Sequence, residues 1–285
     1  MNLNELYTNN INNALSEKNS LLRYAVVIEY VGTSFLGSQI QPQGRTVQGE
    51  IESVLKILFS QEIRITMAGR TDSGVHARAQ VAHFEVESGI DCKKLINSMN
   101  ALLPPDISIA NIVAVDKEFH SQKSAKIKHY RYAINNASQR SVWKEKNTHI
   151  RMDLDINNMN KALECIIGEH DFSSFRCSNT ANPIVDCIIH SAKCTKDGDM
   201  IYIDFVGNRF LYNMVRILVG SLLEVGRGER NISWLKEVLD AKDRQHAGAT
   251  APSEGLTLMY IDYEEKYNNI LNKEAIDENV FRKAS

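Results

Sequence analysis

Between Gly69 and Phe84 the chain reads GRTDSGVHARAQVAHF, which places Arg70, Asp72, His76, Arg78 and His83 within fourteen residues. The acid is followed by Ser73-Gly74, residues that form turns, so Asp72 belongs on a constrained loop at a strand end, facing a cleft. By itself a Thr-Asp-Ser-Gly turn usually means only an acid that caps its own backbone and pairs with Arg70. This density of ionisable groups after an apolar run exceeds what a cap requires. Zinc held by Asp72, His76 and His83 is disfavoured, because no cysteine joins them and no H-x-x-x-H spacing puts two imidazoles on one helix face. A glycosidase wants a second carboxylate, and the segment offers none. A lone carboxylate beside arginines fits an ionised nucleophile, held charged at neutral pH by its cations.

The elements that must position this loop are readable on both sides of it. RYAVVIEYVG, from Arg23 to Gly32, is rich in β-branched and aromatic residues and stops at glycine, as a strand does. FLGSQIQPQGRT is a loop, and VQGEIESVLKILFS repeats Val47, Ile51, Val54, Leu55 and Leu58 at helical spacing. IRITMAG reads as a strand; VAHFEVE alternates as a strand with one wet face. CKKLINSMNALLP is a helix stopped by Pro104-Pro105, and DISIANIVAVD is a strand. Strand, helix, strand, strand, helix, strand is the order of a ferredoxin-like or RRM-like α+β unit.

The second half repeats this grammar loosely. HYRYAINN is a strand, INNMNKALECIIG a helix, VDCIIHSAKC and MIYIDFVG strands joined by the KDGD turn, and FLYNMVRILVGSLLEVG a long helix. SWLKEVLDAK and LTLMYIDYE add a helix and a strand. The expectation is an α+β protein of two such domains with antiparallel sheets, meeting near Ser124 to Lys128 around a central cleft suited to an extended polymer. Its boundaries are a flexible leader over 1–22, domains over 23–125 and 126–265, and a tail over 266–285.

With 285 residues, 43% hydrophobic and 24% charged, the chain can bury a substantial core. Five cysteines without a C-x-x-C pair suggest reduced thiols, and no apolar run approaches membrane-span length. The Asn-rich start lacks signal-peptide order, so the expectation is a cytoplasmic protein without membrane contact. A net charge of −2 argues against indiscriminate coating of nucleic acid. Locally, however, nine cations (Lys117, Lys123, Lys126, Lys128, Arg131, Arg140, Lys144, Lys146, Arg151) stand against Glu118 and Glu145. Such a stripe is either a solvated face or a source of phosphate contacts.

The run AGRTDSGVHARAQVAHF resembles the catalytic motif of the tRNA pseudouridine synthase A family. FLGSQIQPQGRTVQGEIE, KHYRY (Lys128 to Tyr132), GEHDFSSFR (Gly168 to Arg176), NRFLYNMVRILVGSLLEVGRG (Asn208 to Gly228) and TAPSEGLTL (Thr250 to Leu258) follow in that family's order, so the resemblance spans Arg23 to Glu264. It implies isomerisation of uridine to pseudouridine in RNA without cofactor or metal. The N1 to C1′ bond breaks and C5 joins C1′. It further implies that Asp72 is the nucleophile and that Arg216 pairs with it. The apolar neighbours Val215, Ile217, Leu218 and Val219 agree, since a buried arginine needs a carboxylate. Tyr130 would stack on the uracil and is a candidate to remove the C5 proton; Arg70 would help to extrude the nucleotide, a step costing a few kcal/mol. Phe119, His120, Lys123, Lys126, Lys128 and Arg131 become the RNA-contact set. The implied substrate is the anticodon stem-loop of tRNA at uridines 38 to 40, and the implied assembly a homodimer across which one RNA lies.

Three segments depart from the pattern. Phe119-His120-Ser121-Gln122-Lys123 has glutamine where an arginine is usual, CSNTANPIVD lacks an arginine-rich link, and Gly37-Ser38-Gln39 replaces the common Gly-Trp-Gln. All three fall in expected RNA-contact regions. Competing readings are therefore an enzyme acting on other tRNA or ribosomal uridines, a non-catalytic RNA clamp, and a nucleobase-cleaving enzyme.

Overall fold

In the computed structural model, residues 21–87, 89–142, 147–177 and 183–271 are described. The centre of the first half is β1 (Leu22–Tyr30), whose Ala25, Val26, Val27 and Ile28 are fully enclosed. It lies antiparallel between β3 (His76–Val86) and β4 (Ile107–Val115). α1 (Val47–Phe59) starts where the Thr46 side chain accepts the Gly49 N–H, and it buries Val47, Ile51, Val54 and Leu55. α2 (Cys92–Leu102) is capped in the same way by Asp91. Between α1 and β3 the expected strand IRITMAG is reduced to β2 (Thr66–Met67). The Ile65 N–H donates to the Glu52 side chain at 3.0 Å, which removes a donor from any longer ladder.

The second half contributes β5 (Ile127–Asn135), the short β6 (Thr148–His149), α3 (Ile156–Leu163), β7 (Gly168–Asp171), β8 (Asp186–Asp197) and β9 (Met200–Gly207). α4 (Met214–Gly226), α5 (Trp234–Ala241), β10 (Leu256–Asp262) and α6 (Glu265–Leu271) complete it. The expected helix at FLYNMVR begins only at Met214, because Asn213 adopts the left-handed conformation at φ 61°. That turn leaves Tyr212 outside the helix.

The expectation of two separate sheets is corrected. All strands belong to one ten-stranded sheet whose main order is β4-β1-β3-β10-β5-β9-β8-β7. β10, late in the chain, runs parallel to β3 at Thr257–His76 and Leu258–Ala77, and antiparallel to β5. It thereby closes the seam between the halves, so the cleft lies over that seam. The expected wet face of β3 is wet only towards its end: Val81 and His83 are buried, whereas Glu85 is partly exposed and Glu87, just beyond the strand, is exposed. The His83 side is covered by Phe119 and Ser121, with ring centroids 6.3 Å apart for His83 and Phe119. The start of the expected tail is ordered: α6 buries Tyr267 and Leu271, and the Tyr267 hydroxyl donates to Asp116 at 2.7 Å. Most of the expected leader and the remainder of the tail lie outside the described residues. All five cysteines are free, and among the described residues no helix is long and apolar enough to cross a membrane.

Candidate active site

The loop that leaves β2 and enters β3 is held almost atom by atom. Ala68 N–H donates to Val81 O at 2.8 Å, while the Ala68 and Gly69 carbonyls accept from Lys128 Nζ and Gln80 Nε2, both at 3.0 Å. Ser38 N–H donates to Thr71 O at 3.1 Å, and Ser38 Oγ accepts from Thr71 N–H at 2.8 Å. The Tyr30 and Thr71 hydroxyls meet at 2.8 Å. Beyond the acid, Val75 N–H donates to Asp72 O at 3.2 Å and Ser73 Oγ to Phe35 O at 3.1 Å, closing the turn that the sequence predicts.

Asp72 from this loop meets Arg216 from α4 across the seam, with Nη1 to Oδ2 at 3.6 Å and both side chains less than a fifth exposed. Arg216 is itself oriented by its Nε bond to Ala251 O at 2.8 Å and its Nη1 bond to Asn213 Oδ1 at 3.0 Å. Asp72, but not Arg216, lines a cleft of about 1170 Å³ whose walls also include Arg70, Lys128, Tyr130, Arg209, Phe210 and Tyr212. A volume of that size admits a nucleotide with its flanking phosphates.

Charge in the cleft is set by burial. Desolvation pushes the Asp72 carboxyl above its ordinary value, and Arg216 pulls against that rise. Of the two arginines expected to hold the acid charged, Arg216 stands beside it and Arg70 does not pair with it among the described residues. Arg70 is exposed on the cleft wall and makes no hydrogen bond or ion pair among the described residues. Tyr130 is buried, packs edge-on to Phe210 at 5.1 Å between centroids, and its phenol is pushed up by burial and by the Tyr30 and Asp72 charges. Burial lowers the Lys128 ammonium to about 8, helped by Arg209. The charge of Asp72 is the main cause that raises the half-exposed Tyr212 phenol.

The remaining expected contacts divide. Lys123 and Lys126 are exposed, Lys126 near Glu264 at 3.8 Å, and their neighbours Gln122 and Ala125 reach the cleft wall. His120 is half-buried, its Nδ1 accepting from the Gln122 and Lys123 backbones. Phe119 is a correction: with no exposed surface it is core, packed on Tyr263 and Tyr267 at 5.2 and 4.8 Å. Arg131 is another, since alternation along β5 sends it to the face opposite Tyr130, where Asp204 accepts its Nε at 2.8 Å and its Nη2 at 3.2 Å. Lys144 and Lys146 of the basic stripe lie outside the described residues. The zinc reading fails on its donors: Gly32 N–H donates to His76 Nδ1 at 2.9 Å, His76 Nε2 lies 3.1 Å from Glu254 O, and His83 Nδ1 is spent on Ser121. Among the described residues no group of three such side chains could hold a metal ion.

Tyr212 and the exposed apolar wall residues Leu36 and Ile40 escaped the sequence reading as site residues, and Ser38 entered it only as a departure from the family's pattern. The FLYN segment carried a usable signal for Tyr212, because an asparagine before an apolar helix often marks a turn.

A family model described as tRNA pseudouridine synthase matches residues 26–146 and 162–264. A tRNA pseudouridine synthase A of Brevibacillus brevis is 42% identical over 242 residues, covering 85% of this chain and 99% of that protein. One from Geobacillus sp. strain WCH70 is 43% identical over 244 residues, covering 85% and 98%. A chain of a solved Cbf5-Nop10-Gar1 complex is a far weaker likeness, 12% identical with a TM-score of 0.38 over 90% of this chain and 59% of that one. With most of its length matched at this identity, and an acid and an arginine joined across the sheet seam, the chain belongs to the tRNA pseudouridine synthase family, isomerases that convert uridine to pseudouridine.

Proposed function

We propose that the enzyme isomerises uridines 38 to 40 in the anticodon stem-loop of tRNA, with Asp72 as its covalent nucleophile. The observation that carries this reading is Asp72 on the wall of a cleft that Tyr130, Lys128 and Arg70 also line, with Arg216 3.6 Å from its carboxylate. In the reaction the carboxylate bonds to the nucleotide and the N1 to C1′ bond breaks. The uracil turns, C5 bonds to C1′, the C5 proton leaves, N1 gains a proton, and the carboxylate is released. Arg216 stabilises the charged form of Asp72 against the desolvation that disfavours it. Arg70, unpaired among the described residues and exposed on the wall, is available to fill the stack vacated by the target base.

Tyr130 supplies a flat wall for the uracil. Its phenol is pushed far towards the neutral form, and a neutral phenol is a poor proton acceptor, so a stacking role is favoured over removal of the C5 proton. Lys123, Lys126, Lys128 and His120 approach the stem backbone from one rim of the cleft. Phe119 and Arg131 are left out. A homodimer belongs to the same proposal and predicts sedimentation at twice the 32.2 kDa chain mass.

The test is tritium release from C5-labelled uridine in an anticodon stem-loop. Wild type should release tritium and form pseudouridine, whereas Asp72→Ala should release none. Equal rates in the two would overturn the nucleophile assignment. Release only from uridines outside the anticodon arm would overturn the substrate assignment, and free uracil as product would overturn isomerisation.

A further inference from the structure

Ser38 lies in the loop between β1 and α1, remote in sequence from the acid, yet it is fully enclosed. It takes both main-chain polar groups of the residue that precedes Asp72: its N–H donates to Thr71 O at 3.1 Å and its Oγ accepts from Thr71 N–H at 2.8 Å. Its own carbonyl accepts from Gln48 N–H at 2.9 Å, which ties this clamp to the first turn of α1. Gly37 makes the approach possible, since its φ is +107° and a Cβ there would lie 2.9 Å from Thr71 O. With the Thr71 hydroxyl on Tyr30, every polar group of Thr71 is held.

The carboxylate beyond it is held far more loosely. Its ion pair with Arg216 spans 3.6 Å, beyond hydrogen-bond length, so its orientation comes chiefly from the main chain that carries it. We propose that Ser38 is a positioning residue for Asp72: its hydroxyl fixes the Thr71–Asp72 backbone and thereby the direction of carboxylate attack, without touching substrate. This rests on the reading of Asp72 as nucleophile. It also gives a role to the position where this chain has serine in place of the common tryptophan.

Removal of the hydroxyl leaves the buried Thr71 N–H without an acceptor and frees the peptide before the acid. A purely structural serine would lower the melting temperature and leave the turnover of folded enzyme unchanged. A positioning serine lowers turnover and leaves RNA affinity alone. The experiment measures kcat and KM for C5-tritiated stem-loop RNA, thermal melting, and hydrogen exchange over residues 69–73. It compares wild type with Ser38→Ala, Ser38→Thr and Asp72→Ala.

For Ser38→Ala we expect kcat to fall about tenfold to a hundredfold, the loss that accompanies an unsatisfied buried donor and a displaced reacting group. KM should be unchanged, exchange should be faster over residues 69–73 alone, and Ser38→Thr should restore the rate. Unchanged kcat in Ser38→Ala beside an inactive Asp72→Ala overturns the Ser38 proposal and leaves the nucleophile standing. An active Asp72→Ala overturns the nucleophile reading instead. Should Ser38→Ala melt below the assay temperature, Ser38→Cys, of similar volume but with only a weak sulfur acceptor, takes its place under the same two outcomes.

Discussion

Asp72 shows how a single residue can be tuned against the stability of its own fold. Burial raises its carboxyl above the ordinary value of 3.8, and Arg216 only partly offsets the rise. The folded state therefore holds this proton more tightly than the unfolded chain does. As pH climbs past the unfolded value, the folded protein pays a growing penalty for ionising the group, which levels off above the raised folded value. Asp72→Asn mimics the protonated acid at every pH. It should melt at a higher temperature than wild type at neutral pH, and the difference should vanish below the ordinary carboxyl range. Paired melting curves from acid to neutral pH check this; a variant less stable than wild type at neutral pH would mean that Arg216 outweighs desolvation.

At the scale of elements, α4 and the segment before β10 form a single mount for Arg216. Gly220 lets the two approach so closely that a Cβ on it would fall 1.7 Å from Ala249 O. Two residues on, Ala251 O accepts Arg216 Nε and Ala251 N–H donates to Arg216 O at 3.0 Å. In an open helix Gly→Ala stabilises by about 1 kcal/mol. Here backbone must move, so Gly220→Ala should destabilise by about 1–3 kcal/mol, as overpacked sites do. It should also cut turnover by displacing the arginine. Thermal melting and single-turnover tritium release check the two effects together, and a stabilised, fully active variant would overturn the mount. Elements of this sort were legible where the signal is local. The apolar stripe of α1, or the helix stop at Pro104-Pro105, needed no tertiary knowledge. The Asn213 turn and the loss of most of the strand at IRITMAG were missed, because a left-handed residue and the Glu52 carboxylate, thirteen residues away, decided them. Phe119 misled for a related reason: the resemblance counted its whole segment as RNA contact, and nothing local shows that α6 packs over this one side chain.

The whole molecule adds what no local pattern carries, namely that the last strand of the chain joins its two halves. The strands and helices read from the sequence occur in the order read, with β6, β7 and α6 added, yet the reading implied separate sheets because nothing in LTLMYIDYE specifies its neighbours. Sheet pairing between residues far apart in sequence is decided by global packing. β10 has ladders with both β3 and β5, His76 reaches Glu254 O at 3.1 Å, and Asp72 faces Arg216 across the same seam. Contacts of this density couple the halves, so they should unfold as one unit. Trp234 in α5 packs against the core of the second half, so in a Trp143→Phe background tryptophan fluorescence reports that half alone. Hydrogen exchange at the enclosed β1 amides, Ala25 to Ile28, reports the first. In a urea titration the fluorescence transition, loss of β1 protection and loss of tritium-release activity should share one midpoint. β1 amides still protected after the tryptophan signal has been lost would show that the halves are separable. In that case β10 would be a strap laid across two independent domains, and the active-site pair would form only after they dock.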